Sequence, residues 1–365
     1  MISLLLPIAG RSSRFPQMNP KWSLTHPLGD MMVIEAIKGL DMRNVGRIIV
    51  IGLEEHNTRF QLIDALSMQF QALGLRDKLE FVLLDHYTRN QPETVAEGIR
   101  RGKASGPIYI KDSDNFFRDE PAPVNSIAGY DLHLIEKVNA RSKSYFDVNA
   151  DGYVTNIVEK TIIGSKFCAG GYSFRAADEY LEYFDKLSSE NDLYISHIVY
   201  GMILDGISFS HADVADYLDW GTLKEWQTYT RQYSTLFVDL DGTLVKNSAQ
   251  YSIPHWGDTA GIAPNIAAVN HLYDSGKVQI IITTSRKETS REVTVRQLER
   301  VGVKYHKLIF ELSHGRRIII NDYAPSNPYK SCDAINIRRN SPDLKEMLED
   351  AIGFHLDVQG LTAGD

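Results

Sequence analysis

Short apolar runs alternate with amphipathic stretches from the first residue onward. ISLLLPI, RIIVIGL, LEFVLLD and PIYIKD read as strands buried on both faces, as in a parallel sheet. MMVIEAIKGL, NTRFQLIDALSMQFQAL and PETVAEGIRRGK carry apolar residues at helical spacing between them. This alternation, with right-handed crossovers, predicts a doubly wound α/β layer. The pattern then changes. YDLHLIEKV, SYFDVNADGYVTNIVEK and FCAGGYSFR predict strands with few helices between them, NADG being a tight turn. That is a mixed β insertion on the first core. Helices return in ENDLYISHIVYGMILDG and GTLKEWQTYTRQY. At STLFVDLDGTLV the alternation restarts, with KVQIIITTS, RRIIIND and DAINI as strands. APNIAAVNHLYDSG, ETSREVTVRQLERVG and DLKEMLEDAIGF are the accompanying helices. The expected architecture is two doubly wound, Rossmann-like α/β domains, residues 1–232 and 233–365.

Composition narrows the function classes. The chain has 365 residues, 43% hydrophobic and 24% charged, which suits two globular domains. A formal net charge of -8 argues against a general nucleic-acid binder, whose phosphate contacts need a basic surface. It leaves room for one nucleotide, which needs only a few Lys or Arg. The two cysteines, Cys168 and Cys332, fall in different expected domains, so a reducing cytoplasm fits better than a disulfide framework. No run approaches the ~20 apolar residues of a membrane span. The histidines show no metal-ligand spacing. Nothing in the pattern sets an oligomeric state.

Two constellations carry chemistry. In LLPIAGRSSRF a strand ends at Ile8 and opens into Ala9, Gly10, Ser12 and Ser13. Such small residues let backbone N–H groups turn inward as a nest for phosphate. Arg11, Arg14 and Lys21 can offset phosphate charge. The Gly-Lys-Ser/Thr tail of a Walker loop is missing. Downstream, YIKDSDN ends a strand with Asp112 and Asp114, IVEK ends another with Glu159 and Lys160, and Asp219 precedes a helix in YLDWGTLKEW. Taken singly, a carboxylate at a strand end is more often solvated or a helix cap, and Asp219 is placed to cap. Together they supply two carboxylates for Mg²⁺ and cations for phosphates.

Over roughly the first 230 residues the chain resembles the sugar-phosphate nucleotidyltransferases, with these pieces in the family's order. The resemblance implies a glycine-rich opening at Leu5 to Phe15, with Ser12 where a Gly is usual. Lys21 matches the family's following lysine, and Gln91 in NQPETVAEGI is the expected reader of the base. Asp114 and Asp219 are the implied metal ligands. Glu159 and Lys160 grip the acceptor, and Gly171 in AGGYSF lies beside it. The implied reaction joins a nucleoside triphosphate, CTP before UTP or dTTP, to a phosphorylated sugar or polyol with release of pyrophosphate. Capsule or surface-glycan precursors are the expected products.

The second constellation is LFVDLDGTLV. Residues two apart on a strand point the same way, so Asp239 and Asp241 share the mouth of a sheet. Two like charges there call for a cation. DLDGTLV resembles the first motif of the haloacid-dehalogenase-like phosphatases. That resemblance implies Asp239 as nucleophile, Asp241 as general acid and base, and a fold with little or no cap. Thr284 is the implied phosphate contact, with Thr283 and Ser285 as competitors. Asp322 in RRIIIND would join Asp239 on Mg²⁺, with Asn321 replacing the family's second acid. The third-motif lysine falls to Lys307 ahead of Lys304. The alternative is that only one domain is catalytic and the other binds or scaffolds.

Overall fold

The computed structural model describes all residues except 16–19, 136–141, 191, 249–255, 323–330, 353–354 and 357–365. The chain forms two compact units, Met1–Trp226 and Gln227–Asp365.

In the first unit, β1 (Ile2–Pro7), β2 (Val45–Leu53), β3 (Leu79–Leu84) and β4 (Ile108–Lys111) pair in parallel in the order β3-β2-β1-β4. Alternation with period two explains their unbroken apolar runs. Leu5, Ile49 and Ile51 enter one core with the helix Gln91–Arg101, whereas Leu4, Leu6, Ile48 and Val50 enter the other with the helices Met32–Ile37 and Leu62–Ala72. Each such side chain contributes about 1.5–3 kcal/mol on burial. The strand order reverses at β1, so the crevice beyond the C-terminal ends of β1 and β4 is where this topology takes ligands.

The remaining strands make the sheet mixed. β5 is Asn115–Arg118, β6 Ser126–Asp131, β7 Ser144–Val148, β8 Val154–Glu159, β9 Lys166–Phe174, β10 Ser210–Asp213 and β11 Ala215–Asp219. β9 runs antiparallel to β4 and β6, and β10 extends β6 in parallel. The β7–β8 hairpin turns at Asn149–Gly152 as NADG predicts, Gly152 taking φ +81° and Asn149 Oδ1 accepting from the backbone of Asp151 and Tyr153. The strand expected in YDLHLIEKV begins earlier, and Leu132–Leu134 is a 3₁₀ turn. A helix at Ala177–Leu187, not foreseen, buries Ala177, Tyr180, Tyr183 and Phe184. β5 and β11 form their own antiparallel pair, with Asp219 opposite Asn115.

The second unit holds a three-stranded parallel sheet, β12 (Ser234–Asp239), β13 (Val278–Thr283) and β14 (Lys307–Ile309), in that order. The helices Ala263–Asp274, Arg291–Val301 and Leu344–Ile352 appear where the periodicity puts them. The doubly wound sheet expected here is corrected in one respect. RRIIIND and DAINI form no strand among the described residues, and β12 is left at an edge. Ile318, Ile319 and Ile320 are 69%, 56% and 92% exposed, so their β-branched propensity is not matched by burial or a paired ladder.

Helix and sheet approach closely at Gly98, where a Cβ would fall inside the side chain of Ile51 on β2. Gly98→Ala gains about 1 kcal/mol of helix propensity and loses about 1–3 kcal/mol to overpacking. Chemical denaturation is expected to show a net loss of stability.

Candidate active site

The loop after β1 is tight. Ser12 takes φ +50°, the left-handed region that explains why glycine suits this position. Its Oγ accepts from the Lys21 backbone N–H at 2.9 Å and its carbonyl from Phe15 N–H at 2.8 Å, which holds the serine there. Ala9 is buried against the core, while Gly10, Ser13 and Arg14 are exposed at the mouth. Arg11 stacks on Tyr87 at 4.9 Å.

Asp114 follows β4 and sits among cations. Lys21 Nζ pairs with its Oδ2, and Arg14 Nη2 lies 3.7 Å from the same oxygen. Burial would raise its carboxyl, but Lys21 and Arg14 overcome that and hold it well below the usual range. Asp112 is pushed up to about 6 by burial and by Asp114 beside it. Gln91 Nε2 donates to Asp112 Oδ1 at 2.6 Å, so its amide nitrogen serves this carboxylate. Lys111, pulled down to about 7 by burial, donates to the carbonyls of Asp112 and Asn115 at 2.8 and 2.9 Å.

The β5–β11 pair brings Asp219 to the same place. Trp220 N–H donates to the Asp114 carbonyl at 2.9 Å, tying the two strand ends together. A Cβ on Gly221 would stand 3.0 Å from Asp219 Oδ1, 3.4 Å from Asp114 Oδ2 and 3.5 Å from Arg14 Nη1. Both carboxylates therefore converge on space that only glycine leaves open. Asp219 does not cap the following helix. Thr222 does, accepting from Glu225 N–H at 3.3 Å while Glu225 Oε2 accepts from Thr222 N–H at 2.8 Å. Asp219 Oδ1 accepts from Gly221 N–H at 2.9 Å, and Oδ2 pairs with Lys143.

Lys143 is a residue the sequence reading missed. It lies just before β7 and also donates to Tyr217 Oη at 2.6 Å. Burial would lower its ammonium, but Tyr217 and Asp219 keep it above the ordinary value. Its carbonyl accepts from Lys160 N–H at 2.8 Å. Glu159 is held by the hydroxyls of Ser144 and Ser196, the latter at 2.9 Å, and Lys160 pairs with Tyr194 Oη. Gly171 is buried, and a Cβ there would stand 2.8 Å from Ala128 Cβ and 2.9 Å from Phe117 Cζ, so close packing explains the glycine. Among the described residues no cluster of three His, Cys, Asp or Glu is gathered for a metal. Two carboxylates alone suit Mg²⁺, which completes its shell with water and substrate phosphate.

In the second unit, Thr284 is buried and its Oγ1 donates to Asp241 Oδ2 at 3.4 Å. Thr283 is turned away, donating to the Val238 carbonyl at 3.3 Å. Asp241 is gripped by Arg286, another residue not singled out beforehand. Nε and Nη2 reach its two oxygens at 3.0 and 2.7 Å, while Nη1 donates to Thr294 and Gln297. Asp239 pairs with Arg317 at 3.0 Å and is raised by burial, with Arg317 opposing. The RRIIIND strand that was to deliver Asp322 to Asp239 is not formed. Asp322 is exposed, and its carbonyl accepts from Ser331 Oγ at 2.7 Å. Lys307 is exposed at the start of β14, and Lys304 pairs with Asp274 at 2.7 Å.

No protein-family model and no curated protein matches the sequence. Among solved structures the chain is similar to the nucleoside-diphosphate-sugar pyrophosphorylase from Vibrio cholerae RC9. The TM-score is 0.53 at 20% identity, covering 62% of this chain and 99% of that one. It is also similar to the inositol-1-phosphate CTP transferase from T. maritima, with a TM-score of 0.51 at 13% identity, covering 62% and 91%. The first unit has the nucleotidyltransferase fold. Among the described residues no helix is long and apolar enough to cross a membrane.

Packing behind the two carboxylates generates a pH prediction. His26 is buried against Trp220 and Trp226, with ring centroids 5.7 and 6.2 Å away. Burial, with Lys38 adding to it, lowers His26 from 6.5 to about 4. A folded value below the unfolded one means stability is intact above pH 6.5 and is lost as pH falls towards 4. The loss amounts to about 3 kcal/mol. Urea unfolding at a series of pH values is expected to show this slope, and His26→Gln to flatten it.

Proposed function

We propose that the first unit is a nucleotidyltransferase acting on a nucleoside triphosphate and a phosphorylated small molecule. The observation that carries this reading is the convergence of Asp114 and Asp219 on Gly221, with Arg14, Lys21 and Lys143 around them. An oxygen of the acceptor phosphate attacks the α-phosphorus, the bond to the β-phosphate oxygen breaks, and pyrophosphate leaves. The acceptor phosphate is already anionic, so positioning and charge neutralisation suffice without a strong base. Ala9, Gly10, Ser12 and Ser13 offer the phosphate loop. Arg14 and Lys21 take up charge on the leaving pyrophosphate, and Gln91 stands by the base. Glu159, Lys160 and Gly171 border the acceptor. Mg²⁺ held by Asp114 and Asp219 would supply Lewis-acid charge neutralisation. CTP is placed ahead of UTP and dTTP, in keeping with the CTP transferase from T. maritima to which the fold is similar. The acceptor we infer is a sugar or polyol phosphate, and the role we assign is precursor synthesis for capsule or surface glycans in the cytoplasm.

A second reading concerns residues 233–365. DLDGTLV supports Mg²⁺-dependent phosphomonoester hydrolysis through an aspartyl-phosphate on Asp239, with Asp241, Thr284 and Lys307 assisting and Asp322 sharing the metal. The fork of Arg286 on Asp241 and the exposed position of Asp322 favour the alternative, in which this unit binds or scaffolds.

Release of pyrophosphate and of free phosphate, measured in parallel over panels of triphosphates and sugar or polyol phosphates, tests both readings. Asp219→Asn is expected to lower pyrophosphate release by at least about 100-fold, several kcal/mol of lost charge stabilisation. Free-phosphate release should be unchanged. Asp239→Asn is expected to do the converse if the second unit hydrolyses, and to change neither signal if it scaffolds. Loss of both signals from one substitution would overturn separate sites.

A further inference from the structure

Each carboxylate assigned to the metal is already paired with a lysine of this chain: Asp114 with Lys21, and Asp219 with Lys143. Lys21 falls within the resemblance. Lys143 does not. Its side chain is 11% exposed and that of Asp219 13%, so the pair is shielded from solvent competition. The ammonium is fixed from two sides, by Asp219 Oδ2 and by Tyr217 Oη at 2.6 Å. The backbone on which it sits is fixed too, since the Lys143 carbonyl accepts from Lys160 N–H at the foot of the β7–β8 hairpin.

We propose that Lys143 is a positioning residue that occupies Asp219 in competition with the divalent cation. This rests on the transferase reading above. A cation arriving alone meets a carboxylate whose charge Lys143 already compensates through Oδ2 and whose Oδ1, the oxygen facing Asp114, already accepts from Gly221 N–H. A cation arriving with a triphosphate brings its own compensation, since the phosphates offer the displaced ammonium a new partner. Lys143 thus makes nucleotide-free metal binding weak and couples metal entry to substrate entry. It also spares the chain an uncompensated Asp219 beside Asp114 in a partly dry cleft, where like charges repel.

The test is Mn²⁺ alone, titrated into the full chain without nucleotide and followed by the electron paramagnetic resonance signal of free Mn²⁺. Lys143→Met is expected to bind Mn²⁺ about tenfold more tightly than the wild type, and the gain should vanish in the Lys143→Met/Asp219→Asn double variant. Lys143→Gln keeps the reach and hydrogen bonding without the charge. It is expected to move in the same direction, and it serves where the Met variant does not fold. A residue that merely props the hairpin would leave Mn²⁺ affinity unchanged or lower it, and either result in the folded variants overturns the proposal. A gain that persists in the double variant overturns the assignment of metal to Asp219 itself. Pyrophosphate release, scored separately, decides the transferase reading.

Discussion

The short antiparallel pair of β5 and β11 is the constraint on which the first unit's chemistry depends. Asp114 and Asp219 lie nearly half the unit's sequence apart, and among the described residues this pair sets their strand ends side by side. Asp219 faces Asn115 across it, and Trp220 N–H closes onto the Asp114 carbonyl. Two backbone-registered strands hold carboxylates to a tolerance that loops alone do not give. The aromatic packing of Trp220, Trp226 and His26 backs the turn that carries Asp219. Gly221 completes the arrangement by having no side chain to fill the convergence point.

This dependence explains what the sequence could and could not reveal. The parallel strands were legible because Leu4, Leu5 and Leu6, or Ile48 to Ile51, are buried on both faces, and such runs announce themselves. Ser12 was legible as an anomaly, and its left-handed backbone gives the reason. β5 and β11 were not legible. In ADYLD only Tyr217 is buried, so no alternation reaches the threshold of a pattern. Lys143 was hidden for a related reason: a lysine in a polar stretch reads as solvated, and only the fold buries it against Asp219. The helix Ala177–Leu187 did carry a signal, in the spacing of Tyr180, Tyr183 and Phe184.

The second unit shows where a motif outruns its context. DLDGTLV ends its strand at Asp239 and turns through Gly242 at φ +92°, as the spacing of the two acids requires. The same motif does not specify what surrounds Asp241. Arg286 is 1% exposed and spends its fork on that carboxylate, so both oxygens already accept charge-assisted hydrogen bonds. For Asp241 to hand a proton to a leaving group it must first quit the fork, leaving a buried guanidinium with only Thr294 and Gln297. Uncompensated buried charge is costly, so this geometry resists the acid role more firmly than an empty site would.

Charge balance links the two units by contrast. Around Asp114 and Asp219 the cations are of mixed character: Arg14 is 54% exposed and meets Asp114 at only 3.7 Å, whereas Lys21 and Lys143 are flexible ammoniums in close pairs. An ammonium on a four-carbon stem can pass from carboxylate to phosphate with little reorganisation of the backbone, which a planar, two-pronged guanidinium cannot do as readily. The first unit therefore holds its acids with groups suited to exchange partners during a reaction. The second holds Asp241 with the group least suited to let go. On this argument the lysine pairs of the first unit are built to cycle, and the Asp241–Arg286 pair is built to stay.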